Sequence, residues 1–277
     1  MIVSESEPFR NDGWEREARV ALTCARVTGA YLREQFGRPA EKRYRGAHDV
    51  QLPADLEAQR RIIDTLAREF PGHGVLAEEG PAGEWPDTEF VWMIDPLDGT
   101  NNFAYGIAHC AVAITLFRRK RPVLALVVDP LLQREFIATQ AVPPGEAAHH
   151  QPVPLQRSTV SLVTNYSTAG RIWGDRMHEA LGGRCKRTLS MWAPALDLAL
   201  LSVGQLDGMI CHRGDLLDVG GGILLVTAAG GHVLDLSGAP LTAHGSMYGT
   251  PVSFVAARSR ELAWELLELV ESPQATA

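Results

Sequence analysis

Six acidic side chains of this chain stand where an apolar run meets a loop. The stretch WMIDPLDGTNNF, residues 92–103, ends a hydrophobic run at Asp95, and Asp98 follows three residues later, ahead of Gly99 and Thr100. VLAEEG leads in the same way to Glu78 and Glu79, and Asp55 and Asp218 each open an apolar helical pattern. Carboxylates gathered in one place repel and desolvate one another at a cost of several kcal/mol, which a bound cation offsets. Hard oxygen donors without Cys or His partners select Mg²⁺, Mn²⁺ or Ca²⁺ over Zn²⁺. Pro96 stiffens the bend so that Asp95 and Asp98 can point the same way. Gly99 lets the backbone turn and brings its N–H close to an anion. If TNNF begins a helical turn, its N–H groups face the same point. Taken singly, each acid has a plain explanation: a turn residue, a helix N-cap at Asp218, a solvated strand end at Glu78 and Glu79. Their joint pattern is what points to a metal-assisted phosphate site.

The elements that must position these acids follow from periodicity. Residues 12–36 carry Trp14, Ala18, Ala21, Leu22, Ala25, Leu32 and Phe36 at helical spacing, and a second helix starts near Asp55 with Leu56, Ile63, Leu66 and Phe70 on one face. GRPAEKRYRGAHD between them reads as a polar loop. GVLAEE, FVWMID, CAVAITLF, PVLALVVD and REFIATQ read as strands, the last three joined by short turns into a meander. The Pro-rich segment 142–158 marks a boundary between an N-terminal half, 1–145, carrying the main acidic loops, and a C-terminal half, 146–277, carrying Asp218; the two form one compact unit. Strands are expected at 159–164, 185–190, 207–212, 232–236 and 252–257, and helices at 170–181, 194–203, 217–229 and 258–270. Meanders mixed with helices in both halves predict a layered α+β fold rather than a pure parallel βαβ one.

Composition bounds the rest. Of 277 residues 45% are hydrophobic and 21% charged, as in a soluble globular protein. The net charge of −7 disfavours a nucleic-acid polymer as the main partner, since phosphate backbones need a basic surface. Cys24, Cys110, Cys185 and Cys211 are dispersed and form no CxxC, so reduced thiols in a cytoplasmic protein are expected. No apolar window reaches the roughly 18 residues of a membrane span, and the N-terminal stretch lacks an apolar signal core.

WMIDPLDGTNNF resembles the first signature of the inositol monophosphatase family, W-x-x-D-P-[IL]-D-G-T-x-N-F. AEEG resembles that family's G-E-E element, and LLDVGGGILLVTAAGG its second signature, W-D-x-A-x-G-x-x-[IL]-x-x-x-A-G-G. The resemblance spans nearly the whole chain. It implies a layered αβαβα sandwich, of the kind shared with fructose-1,6-bisphosphatase, and Mg²⁺-dependent hydrolysis of a small phosphomonoester. Two to three ions are implied, with Mn²⁺ as a substitute. Glu78, Asp95 and the Leu97 carbonyl would hold one ion; Asp95, Asp98 and Asp218 a second; Glu78 and water a third. Thr100, with Glu78 and with Asp55 behind it, would position the attacking water, and the N–H groups of Gly99 and Thr100 would cradle the phosphate. Such a reaction needs no covalent intermediate, so no Ser/His or Cys/His nucleophile pair is required. A homodimer is also implied.

Departures from the family pattern bear on the substrate. Leu217 replaces the signature Trp. Cys211 stands where inositol-hydrolysing members carry a Glu that binds substrate hydroxyls, with Asp215 nearby as a stand-in. Trp192 and Ala193 replace a Gly-Ser pair, and Trp192 is either a pocket wall or a core residue. With Asn165 and Tyr166 these positions are the expected substrate contacts. They suggest a specialised sugar or cyclitol phosphate. Histidinol phosphate, a nucleotide, fructose 1,6-bisphosphate and a catalytically silent metal- or phosphate-binding role are the alternatives.

Overall fold

The computed structural model describes residues 13–38, 41–45, 49–80, 83–140 and 152–271. In chain order the elements are α1 (Glu15–Gln35), β1 (Arg43–Arg45), β2 (Asp49–Gln51), α2 (Pro53–Glu69), β3 (Gly74–Ala77), β4 (Phe90–Asp98), α3 (Thr100–Ala104), β5 (Ala111–Arg118), β6 (Arg121–Asp129) and β7 (Arg134–Thr139). The second half contributes β8 (Thr159–Thr164), α4 (Thr168–Leu181), β9 (Arg187–Leu189), α5 (Pro194–Ser202), β10 (Gly208–Gly214), α6 (Leu216–Ala228), β11 (His232–Asp235), β12 (Val252–Ala257) and α7 (Arg260–Glu271).

The first sheet runs in the order β3-β4-β5-β6-β7; β3 is parallel to β4 and the rest is an antiparallel meander, as the three successive apolar runs predict. The second runs β11-β12-β10-β8-β9 and is mixed, with β8 parallel to both β10 and β9. Successive strand residues face opposite sides. Trp92 and Ile94 of β4, with Ile114, Leu116, Leu124 and Leu126, therefore pack on one side against Leu22, Leu32, Ile62 and Leu66 of α1 and α2. Val91, Met93, Ala113, Phe117, Ala125 and Val127 point the other way, onto Leu196, Leu198, Val219 and Ile223 of α5 and α6. The far face of the second sheet, with Val160, Leu162, Ile210 and Val255, is closed by Met177 of α4 and Leu262 and Leu266 of α7. The result is five layers, αβαβα, and both faces of each sheet are covered. That is why these strands read as continuous apolar runs and not as alternating ones.

Helix α6 reaches the centre of this stack because it is lined with small residues. A Cβ on Gly221 would stand 2.3 Å from Thr115 Oγ1 of β5, and one on Gly222 would stand 2.5 Å from Leu198 Cβ of α5. The central core thus joins the two sequence halves. Of the expected boundary, residues 142–151 lie outside the described residues.

Some expectations are corrected. KRYRGAHD does not read through as loop: Arg43–Arg45 and Asp49–Gln51 pair as an antiparallel two-stranded ribbon. Leu56 does not belong to the inward face of α2; it is exposed, and Ala54, Asp55, Ala58, Gln59, Ile62 and Leu66 face in. Asp218 is not an N-cap. That role falls to Asp215, whose Oδ1 accepts the Leu217 N–H at 2.9 Å, while Asp218 lies in the first turn of α6. Among the described residues no helix is long and apolar enough to cross a membrane.

Candidate functional site

The geometry of Asp95 and Asp98 rests on one extra residue. On the β4–β5 ladder Asp95 pairs with Ala113, and the next recorded pair is Asp98 with Ala111. Three steps on β4 therefore match two on β5, a β-bulge. In an unbroken strand, residues three apart face opposite sides; the inserted residue brings Asp95 and Asp98 onto one side, toward α5. Pro96, which has no N–H to donate, sits where the ladder is interrupted. The Leu97 N–H turns back to Asp95 Oδ1 at 3.0 Å. Gly99 then takes a left-handed conformation, φ +82°, and a Cβ there would lie 2.7 Å from the His109 carbonyl oxygen, so both its angle and its surroundings demand glycine. Helix α3 starts at Thr100, the helical turn foreseen for TNNF.

The first turn of α5 supplies a second hold. Asp98 Oδ2 accepts the Leu196 N–H at 2.9 Å, and the Ala195 N–H bonds the same carboxylate. Asp55 lies behind. It is 1% exposed, one of its oxygens closes the N-terminus of α2 by accepting the Leu52 N–H, and the other sits 2.9 Å from Thr100 Oγ1. Thr100 Oγ1 is also 2.8 Å from the Leu97 carbonyl, and with one proton it donates to one of the two at a time. Glu79 faces away from Glu78 into support contacts: its N–H donates to Gln59 Oε1 at 2.8 Å, and its carboxylate accepts from Gln51 at the end of β2.

Charge accumulates here. Asp95 and Asp98 are 2% and 3% exposed. Among the described residues neither they nor Glu78 pairs with a Lys or Arg. Burial, then the charges of Glu78 and Asp98, raises Asp95 well above its ordinary range. Burial, then Asp218 and Glu79, does the same to Glu78. Asp98 is raised by burial against the opposing pull of the Leu196 N–H. Burial pushes Asp55 up to about 7.

A cavity of about 360 Å³ opens over these acids. Glu78, Asp95, Leu97, Asp98, Gly99, Thr100 and Asp218 line it, together with Asn165, Tyr166, Trp192 and Asp215. Two expected residues are not in its wall. Asp55 touches it only through Thr100. Cys211 is a correction: 1% exposed, it packs in the central core, where burial pushes its thiol up to about 12. Its parity on β10 matches Met209 and turns it inward, and a second bulge follows, since Cys211 pairs with Phe254 and Gly214 with Val252. That bulge brings Arg213 to the cavity instead, a residue that sequence reasoning passed over. Asn101, Thr164 and Pro194 were missed as well; their only signal was adjacency to residues already singled out.

Trp192 is half-buried in the cavity wall with φ +49°, edge-on to Tyr166 with ring centroids 4.3 Å apart. The Tyr166 hydroxyl accepts from Asn101 Nδ2 at 2.8 Å, tying this aromatic wall to α3.

The donor set fits a hard cation: carboxylates and a carbonyl, with no Cys or His among the lining residues. No three of His, Cys, Asp and Glu among the described residues close into a finished cage by themselves.

The sequence matches the inositol monophosphatase family over residues 14–274. The Nus factor SuhB of Escherichia coli (strain K12) is 30% identical over 230 residues, which cover 79% of this chain and 85% of that protein. The extragenic suppressor protein suhB of Bartonella henselae superposes with a TM-score of 0.82 at 22% identity, covering 94% of this chain and 100% of that one. An IMPase/NADP phosphatase solved with Mg²⁺ and phosphate superposes at 0.76 and 17% identity, over 93% of this chain and 96% of that one. The two superpositions speak for the fold, and the match along the sequence decides the membership: this chain belongs to the inositol monophosphatase family.

Proposed function

We propose that the protein is a Mg²⁺-dependent phosphomonoesterase acting on a small hydroxylated phosphate ester, a sugar or cyclitol phosphate. The observation that carries this reading is the bulge at Asp95–Asp98, which turns two buried acids, without basic partners among the described residues, toward Glu78 and Asp218 in one cavity. Glu78, Asp95 and the Leu97 carbonyl, and Asp95, Asp98 and Asp218, are the groups that would hold two ions; a third would rest on Glu78, and Mn²⁺ has the same donor preference. Held by these residues, Mg²⁺ would supply an acidified water and offset charge on the phosphate and the leaving oxygen. The chain's own part is positional. Ionised Asp55 takes the Thr100 proton in a hydrogen bond, which turns the hydroxyl's lone pairs to a water, and Glu78 holds that water from the other side. The N–H groups of Gly99 and Thr100 would donate to the phosphate. Asn165 and Tyr166 would bond hydroxyls of the alcohol, and Trp192 would cover a ring face.

A homodimer and a cytoplasmic setting belong to the same reading; all four cysteines are unpaired, as a reducing compartment requires. The test is phosphate release from a panel of sugar and cyclitol phosphates after EDTA treatment and again after Mg²⁺ is restored. Release only with Mg²⁺ is expected; full activity after complete chelation would sink the reading. The name of the Escherichia coli relative as a Nus factor favours a second role, in transcription, alongside or instead of turnover. Absence of phosphate release from every ester, with Mg²⁺ still bound in a calorimeter, is the result that would prefer it.

A further inference from the structure

We propose that Arg213 selects esters whose alcohol carries a second anionic group, a carboxylate or another phosphate; this rests on the phosphomonoesterase reading. The cavity is acidic where the ions and the reacting phosphate would sit, and Arg213 is the one Lys or Arg in its wall among the described residues. It is exposed to the cavity mouth and, among the described residues, forms no ion pair. The nearest acid in sequence, Asp215, is already engaged in capping α6.

The backbone is built to hold this side chain where it is. The bulge between Cys211 and Gly214 re-aims the end of β10. Arg213 takes φ +61°, and its N–H donates to Ser253 Oγ at 3.0 Å. Among the described residues five non-glycine residues have positive φ: Arg119, Lys120 and Gln133 lie in the tight connections of the meander, whereas Trp192 and Arg213 line the cavity. A hairpin turn explains the first three. The bulge accommodates the angle at Arg213, and bulges next to a cavity serve to re-aim side chains into it. A guanidinium forks two N–H donors onto a carboxylate or phosphate, whereas a neutral polyol gives it only uncharged acceptors. Trp192 and Arg213 together thus describe a ring or short chain with an anionic substituent.

The experiment compares matched pairs that differ only in the second anion: D-glucuronic acid 1-phosphate against D-glucose 1-phosphate, and 2-phosphoglycerate against glycerol 2-phosphate. The ratio of kcat/KM within each pair is measured for the wild type, Arg213→Gln and Arg213→Lys. A wild-type ratio of roughly tenfold or more is expected in at least one pair, falling to within about twofold of unity in Arg213→Gln and partly restored in Arg213→Lys. A wild-type ratio near one in both pairs overturns the proposal, as does an equal loss on both members, which would place Arg213 on the reacting phosphate. The rise in Tm caused by each ester, with Mg²⁺ present, reads binding without turnover. No phosphate release together with an anion-selective Tm rise that Arg213→Gln removes keeps the Arg213 assignment and fells the phosphatase reading. Phosphate release without selectivity does the reverse.

Discussion

Asp98 and Glu79 differ in what surrounds their carboxylates, and that difference predicts unequal roles. Asp98 lines the cavity with one oxygen fixed by the Leu196 N–H, so Asp98→Asn keeps the backbone bond, loses a ligand charge, and should lower turnover by about a hundredfold or more with the fold intact. Glu79 lies outside the cavity wall, held by Gln51 and Gln59, so Glu79→Gln should cost far less. Equal losses in both variants, each with an unchanged circular dichroism spectrum, would dissolve the division into ligand and support. Trp192 makes a second residue-level prediction. If it covers a ring, Trp192→Ala should reduce kcat/KM for a ring phosphate by roughly 5- to 150-fold relative to glycerol 2-phosphate, which has no ring; equal reductions would make it a scaffold residue. The acids, Gly99 and Thr100 were legible in the sequence because their types and spacing have few other uses in combination. Cys211 was placed in the pocket by the resemblance, although its parity with Met209 turns it into the core; Arg213 was not legible, because a residue's facing is obtained by counting alternate positions along a strand. A bulge inserts one residue that no such count contains.

Elements were legible where a period could be heard over enough residues. The meander, α4 to α7 and both long N-terminal helices stand within a few residues of their expected bounds. The β1–β2 ribbon was not found, because three residues on each side are too few to show alternation, yet its last residue, Gln51, holds Glu79. Helix α5 shows what an element adds to a site beyond its own side chains. Its start is clamped on the acidic loop: Asn102 Nδ2 donates to the Met191 carbonyl and, at 2.9 Å, to that of His109, while His109 Nε2 lies 2.8 Å from Asp197 Oδ1 and Ser161 bonds the other oxygen. Asp197 is 2% exposed. Asp197→Ala would leave His109 and Ser161 without their partner and should cost about 3 kcal/mol in urea unfolding. Because the same turn of α5 directs N–H groups at Asp98, the variant should also need roughly tenfold more Mg²⁺ for half-maximal phosphate release and bind it correspondingly more weakly in calorimetry. A stability loss with an unchanged Mg²⁺ requirement would separate α5 from the site.

At the scale of the molecule, the five layers bring acids from both sequence halves to one cavity and bury several of them, so folding itself acts against their ionisation. The layered class was legible from mixed strands and helices. The order of the second sheet was not, since its five strands are separated by helices that leave several pairings open. Burying the acids has a measurable consequence. Asp55 ordinarily titrates near 3.8 and in the fold is pushed up to about 7, and Glu78, Asp95 and Asp98 are raised as well, each chiefly by burial. Between about pH 4 and pH 7 the folded chain therefore holds protons that the unfolded chain has released. Stability changes with pH in proportion to protons bound in the unfolded minus the folded state, which is negative here, so stability is greatest on the acid side and falls as pH rises. Asp55 alone accounts for about 4 kcal/mol across that window. A cation in the cavity favours the charged forms and opposes the fall. In EDTA, then, the free energy of urea unfolding should decrease steadily from pH 5 to pH 8, and saturating Mg²⁺ should flatten the decline and raise stability most at pH 8. Stability in EDTA that stays level or climbs over this range would mean that the acids are not held protonated in the metal-free fold.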